Sequence, residues 1–483
     1  MVALATGGAR STLVPPHPVS PEEPAITTVT TDPDAREASD PESSGSRGER
    51  ARRRLRGAID RNLDNVHRPD GEKDTVPTVG AETVWWRRFE LWFPLAVFAA
   101  TRLVTAVIVV VTQGSQLGLP ASNGILRIMF PTDPAPGYWV VMGNWDGQWY
   151  QQIATHGYPS ILPRVIDGSI DMNPWAFFPV YPLAVGGIMR LTGLSFFVAG
   201  GLLSMLLGAA AMVVLFRFVD RTVGRWEAVV TVVGLCTFIS APILQATYTE
   251  SLALLLAALL LTLLRSRHYW WVAGLLVVLA LSRNVVAAVA PVIIAHLIVR
   301  WHQQHDLSRR TKGGLIGLAA FAAALTALWP GIIALATGVP NAYTQTLVAW
   351  RVSSNIQLGS WWGYLLLAYG WIGAVAGVAA LGVFAWLMLT HRTWRWGPEI
   401  WGWAGAYPAY QLLVTNPGFS RLRYAILAFP FTLFIAWFLG LRPWRRWRVV
   451  LLCGIAVVGI AQQAWYIYTF ILVTHLTGQI AFP

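Results

Sequence analysis

The chain has 483 residues, 55% of them hydrophobic and 12% charged, with 25 tryptophans. This is the composition of an integral membrane protein and excludes an ordinary soluble domain. The formal net charge of +12 does not point to nucleic acid, because the basic residues outside the N-terminal stretch sit between apolar spans, where they set topology and meet anionic lipid.

Thirteen basic and fourteen acidic residues precede position 89, so the first stretch is nearly neutral. The rest of the chain carries 23 basic residues against ten acids: Glu90, Asp133, Asp146, Asp167, Asp171, Asp220, Glu227, Glu250, Asp306 and Glu399. Carboxylate chemistry in the membrane part must draw on these ten. Four of them fall between residues 113 and 175. The two cysteines, Cys236 and Cys453, lie in apolar segments, which predicts buried free thiols, no disulfide and no metal site.

Residues 1–85 are rich in Pro, Ser, Thr, Glu, Asp and Arg and poor in large apolar side chains, which predicts a disordered tail. They hold no apolar core of a signal peptide. The run Arg50–Arg56 and then Arg87 and Arg88 precede the first span and argue for a cytoplasmic tail. The membrane domain is then 86–483, an all-α polytopic bundle. Its first span, 92–112, contains Arg102, which either faces a polar interior or snorkels. A long loop follows, 113–175, rich in Trp, Tyr, Pro and Gly and expected to fold onto the outer membrane surface. Apolar stretches at 176–192, 195–219, 226–242, 248–265, 270–299, 313–337, 361–390, 398–415, 421–440 and 449–470 bring the expected count to about eleven spans. Arginine clusters at 300–310, 392–395 and 442–448 obey the positive-inside rule; those between 217 and 267 do not. A second drawing repairs this, with 176–192 dipping into the membrane and 270–299 broken at Ser282-Arg283-Asn284. Such breaks are allowed where they line a cavity. The two drawings remain alternatives.

The stretch with most chemistry is Asn144–Pro159, NWDGQWYQQIATHGYP. Trp145, Trp149 and Ile153 are four apart and share one helical face; Gln148, Gln151, Gln152 and Thr155 fall elsewhere on the surface. Gly157 and Pro159 end the pattern. The spacing predicts a short amphipathic helix in the interface with Asp146 at its N-terminal end. Asp146 there is either a helix cap or first-turn acid, or a poised base.

Four more groups stand out. Asn173–Pro182, NPWAFFPVYP, reads as a rigid aromatic anchor at the interface. Thr247–Ser251, TYTES, puts Glu250 in an apolar run, as a functional acid or as a helix-start acid paired with an arginine. Arg283 of LSRN needs an anion, either Glu250 or a lipid phosphate. Arg421 and Arg423 of NPGFSRLRY also need compensation, by a lipid phosphate or by headgroups. No phosphate-binding glycine loop, dinucleotide fingerprint, zinc-protease motif or nucleophile elbow accompanies them.

The order WDGxWYxxIAxxGYP, FFPxYP, YTES, a mid-span SRN and an RY before a late span resembles the PIG-V family of GPI mannosyltransferases and its bacterial relatives, which are GT-C polytopic glycosyltransferases. The resemblance runs from about residue 90 to about residue 440 and leaves the tail without a counterpart. The Arg-Leu-Arg-Tyr spacing leaves open which arginine matches the family's RY. The resemblance implies a polyprenyl-phosphate-mannose donor, a lipid-linked or glycan acceptor, an inverting mechanism with Asp146 as base, and no cofactor. It implies substrate contacts from Trp145, Trp149, Tyr150, His156, Tyr248, Glu250, Arg283, Arg421 and Arg423, and residence in the plasma membrane with the N-terminus cytoplasmic. The competing classes are a transporter or lipid flippase, which predicts matching ionisable residues in two repeated halves, and a membrane scaffold that uses the NWDGQWY stretch only as an anchor.

Overall fold

The computed structural model describes residues 88–119, 130–303, 307–350, 360–415 and 420–475. The expected tail, and Asn416–Phe419 of the NPGFSRLRY stretch, lie outside the described residues. All regular structure among the described residues is helical, apart from two isolated bridges, Leu119 with Thr132 and Arg164 with Ile170.

The helices that matter for the site are α1 (Phe89–Thr112), α2 (Asp146–His156), α3 (Val180–Thr192), α4 (Phe196–Thr222), α5 (Arg225–Thr237), α6 (Glu250–Arg265), α7 (Tyr269–Ala280), α8 (Val289–Gln303), α9 (Arg309–Ala324), α10 (Leu328–Thr337), α11 (Ser360–Met388), α12 (Gly397–Val414), α13 (Ser420–Tyr424), α14 (Phe431–Leu439) and α15 (Arg448–Tyr466). Six described stretches are long and apolar enough to cross a membrane: Phe89–Ser115, Phe196–Thr222, Val286–Gln303, Arg309–Thr337, Trp361–Met388 and Arg448–Ile471. A seventh forms if the pair Ser420–Leu427 and Phe431–Leu439, bent by 72°, is one span. The protein is therefore a multi-pass membrane protein, with fewer clear crossings than its apolar stretches suggest. The reason is helix length. At 1.5 Å per residue, α3 and α5 reach about 20 Å and α6 about 24 Å, short of the ~30 Å hydrocarbon core. Apolar runs in the sequence do not reveal where helices stop.

The 270–299 run does break, with α7 ending at Ala280 and α8 starting at Val289. Arg283 sits in that break. Small residues set how closely α4 meets its neighbours. A side chain at Gly208 would come within 2.8 Å of the Phe98 ring of α1, and one at Gly200 would collide with Thr247. These two glycines let α1 and the TYTES turn close on α4. The main apolar core surrounds α4, α5, α6, α8 and α12; a second packs α2 against Tyr181, Phe196, Tyr248 and the end of α15.

Arg102, in the middle of α1, is buried, and its guanidinium donates to the carbonyls of Cys236 (2.8 Å) and Ala241. It therefore faces a polar interior and holds the C-terminal end of α5, where carbonyls lack helical partners. Cys236 is buried, but Cys453 is exposed on α15, contrary to expectation. An apolar segment of a membrane helix has an outward side, and Cys453 lies on it.

Candidate functional site

The turn before α2 is built to hold Asp146. Trp145 caps the helix with φ 62° and ψ −112°, a conformation that side-chain-bearing residues rarely adopt. Holding it costs on the order of 1–3 kcal/mol. Three neighbours supply the restraint. Trp145 Nε1 donates to the Phe470 carbonyl (2.9 Å), Asn144 Nδ2 to the Ile471 carbonyl (2.9 Å), and Tyr248 Oη to the Asn144 carbonyl (2.6 Å). The two acceptor carbonyls belong to a π-helical turn, Ile467–Ile471, that follows α15. Asp146 is the first residue of α2, a first-turn acid and not the cap.

That carboxylate accepts a 2.7 Å hydrogen bond from Arg423 Nη1. From there a chain of alternating charges runs inward. Arg423 Nε lies 2.9 Å from Glu250 Oε1, and the same oxygen accepts from Arg283 Nη1 at 2.8 Å. Arg283 also donates to Thr249 Oγ1 at 3.0 Å. Side-chain exposure is 24% for Asp146, 8% for Arg423, 1% for Glu250 and 13% for Arg283, so Glu250 is the most enclosed member and Asp146 the most accessible. Aromatic faces complete the enclosure. Arg283 lies 4.7 Å from the Tyr424 ring centre, and Arg423 lies 5.2 Å and 5.0 Å from those of Tyr248 and Tyr424. Burial, together with the Asp146 carboxylate beside it, pushes the Tyr150 phenol up and keeps it neutral. Both arginines are thus fixed, while one carboxylate at the outer end of the chain stays accessible. The arrangement can accept a proton at Asp146 and meet an anion beside it.

The sequence-expected residues divide. Asp146, Tyr248, Glu250, Arg283 and Arg423 come together, drawn from four separate stretches. Of the two arginines of the Arg-Leu-Arg-Tyr run, Arg423 is the one that reaches Asp146. Arg421 lies over the Trp361 ring, 3.5 Å from its centre. Tyr150 borders the cluster, its hydroxyl 3.5 Å from Thr249 Oγ1. Trp149 is instead a core residue, stacked on Phe177 (5.9 Å) and edge-on to Trp350 (4.7 Å). His156 ends α2 and is exposed, its Nδ1 2.7 Å from Thr155 Oγ1. Ten residues of helix carry it roughly 15 Å from Asp146. Gln148, expected on the surface, is buried and accepts from the Phe130 amide at 3.0 Å. The α2 helix is therefore covered by protein on more than its aromatic face. The NPWAFFPVYP segment packs into the protein: Phe177 and Tyr181 are buried in the core that holds α2, Trp175 is buried against Tyr158 and Trp329, and Tyr181 donates to the Gly200 carbonyl at 2.9 Å.

Thr249 and Tyr424 lie in stretches that the sequence singled out but were given no role of their own, and Tyr407 was not singled out. Tyr407 and Tyr410 of α12 donate to the carbonyls of Tyr424 (2.8 Å) and Asn284, and so join the two arginine-bearing segments. A tyrosine pair three apart facing a helix break was the available signal. Among the described residues, no group of three or more His, Cys, Asp and Glu side chains could hold a metal ion. No protein-family model matches this chain, and no curated protein does.

Proposed function

We propose that the protein is a GT-C membrane glycosyltransferase that moves mannose from a polyprenyl-phosphate donor to a lipid-linked or glycan acceptor at the outer face of the plasma membrane. The observation that carries this reading is the accessible Asp146 carboxylate bonded to Arg423, which with Arg283 is held by the buried Glu250. The PIG-V-like motifs support it from another direction, since the WDG, YTES, SRN and RY stretches supply the members of this one cluster.

The chemistry needs little more. Asp146 takes the proton of the acceptor hydroxyl, and the freed oxygen attacks the anomeric carbon. The bond from that carbon to the phosphate oxygen breaks, and the electron pair leaves with the phosphate, a stable anion. No general acid is required. Arg283 and Arg423 meet the charge that develops on the phosphate. Attack opposite the leaving group turns a β-linked donor sugar into an α-mannoside. In this reading the chain crosses the membrane about eleven times, counting shorter and broken helices, with residues 113–175 outside and the N-terminus cytoplasmic.

The test is the purified protein in vesicles with labelled polyprenyl-phosphate mannose and extracted membrane lipids as acceptors. Label in a new glycolipid is the expected result. Movement of lipid across the vesicle without transfer would overturn the reading in favour of a flippase.

A further inference from the structure

We propose that Glu250 is a positioning residue, which holds Arg283 and Arg423 side by side so that an arriving phosphate releases Asp146 to act as the base. This rests on the transferase reading above and assigns Glu250 a role other than substrate contact.

The first argument is access. Glu250 is 1% exposed, and its Oε1 is shared between Arg283 Nη1 at 2.8 Å and Arg423 Nε at 2.9 Å. It opens α6, whose first-turn amides favour a carboxylate. A substrate cannot reach it without removing an arginine. Glu250 is therefore the fixed anion of the cluster, and Asp146, 24% exposed, is the exchangeable one.

The second argument is charge. Two guanidiniums against one fixed carboxylate leave one positive charge to be met from the open side. In this structure Asp146 meets it, through Arg423 Nη1 at 2.7 Å. A carboxylate held this way is a poor base, because taking up a proton means giving up its bond to the guanidinium. A donor phosphate brings its own negative charge to the same side. Phosphate and Glu250 together then satisfy both arginines, and Asp146 is no longer required as a counter-ion. Without Glu250 the outcome differs. One phosphate charge satisfies only one of the two cations, and Asp146 stays bound to the other. Donor binding would survive and proton transfer would not.

The discriminating variant is Glu250→Gln, equal in shape and uncharged. The expected result in the transfer assay is a kcat lower by roughly 10–100-fold with a donor KM within about 3-fold of wild type. A merely structural role would lower the amount of folded protein and leave kcat per folded molecule at the wild-type value. Wild-type kcat, or a raised donor KM at wild-type kcat, would overturn the proposal. If Glu250→Gln does not accumulate, Glu250→Asp decides. It keeps the charge but is one methylene too short to reach both arginines, and kcat should fall roughly 3–10-fold at unchanged KM; full kcat would overturn the idea. Asp146→Asn is assayed in parallel. If it transfers normally, the reading of Asp146 as base has failed; if it is inactive while both Glu250 variants are normal, only this inference has failed.

Discussion

Among the described residues, two buried ionic clusters lie at opposite ends of α6, and they differ in one respect that matters. Glu250 opens the helix and Arg265 ends it, roughly 22 Å away. At the Arg265 end, Glu399 Oε1 lies 2.5 Å from His296 Nδ1, and Arg265 Nη1 lies 3.9 Å from the other oxygen. Arg300 donates to the Tyr269 hydroxyl at 2.5 Å, and that hydroxyl lies 3.2 Å from His296 Nε2. Glu399 and His296 are 2% and 3% exposed. The carboxylate–imidazole pair at the heart of this cluster is shut in. At the Glu250 end the chain of charges runs out to a carboxylate that is a quarter exposed. A closed network ties helices together, whereas an open one can exchange a protein partner for a ligand. Burial of charge is common to both clusters, so it does not identify a site; the exposed end does.

The comparison can be broken most sharply at Asp146. Asp146→Asn keeps shape and some hydrogen bonding but cannot take the proton, so transfer should fall by on the order of 10²–10⁴-fold at normal expression. Near-normal transfer would put both clusters in the structural class. Arg423→Lys comes next. A lysine cannot span Asp146 and Glu250 as the guanidinium does, and kcat/KM should fall roughly 10–100-fold; an unchanged value would remove Arg423 from the mechanism. Glu399→Gln should do the opposite. It should lower the thermal stability of detergent-solubilised protein, by roughly 1–3 kcal/mol, while transfer per folded molecule stays within about 2-fold. A tenfold loss of turnover at wild-type stability would show that the closed cluster also serves the reaction. The smallest effect is expected from His156→Ala, at the exposed end of α2, where transfer should stay within about 2-fold. A larger loss would mean that the site extends along that helix.

Parts of this were legible in the sequence because they are local. Acid scarcity singled out Asp146 and Glu250. The Ser-Arg-Asn interruption marked the break that carries Arg283, and Arg283 found the Glu250 carboxylate that the sequence offered as one of two partners. Long-range features were not legible. Arg102 bonds to carbonyls 134 and 139 residues away, and backbone acceptors leave no trace in residue types. Helical spacing put Gln148 on the surface because it sees one face of a helix, not the segment that later covers another. Among the described residues, clear crossings number six or seven against eleven apolar stretches for the related reason that a run of apolar residues contains no record of a short helix, a turn and another short helix. His156 was near in sequence to Asp146, but helical rise separated them.

The strained turn at Trp145 has a consequence for the order in which the molecule is made. Its anchor, the Phe470 carbonyl, comes 325 residues later in the chain. At ribosomal speeds of about 5–20 residues per second, that separation is roughly 15–65 s of synthesis. During this interval the Asp146 turn is already out, but the piece that fixes its backbone does not yet exist. The Asp146 turn can be set only when α15 has been inserted and the turn that follows it has docked. A nascent chain therefore has no organised site, and a chain cut short within α15 has none either, even with every charged member of the cluster already in place.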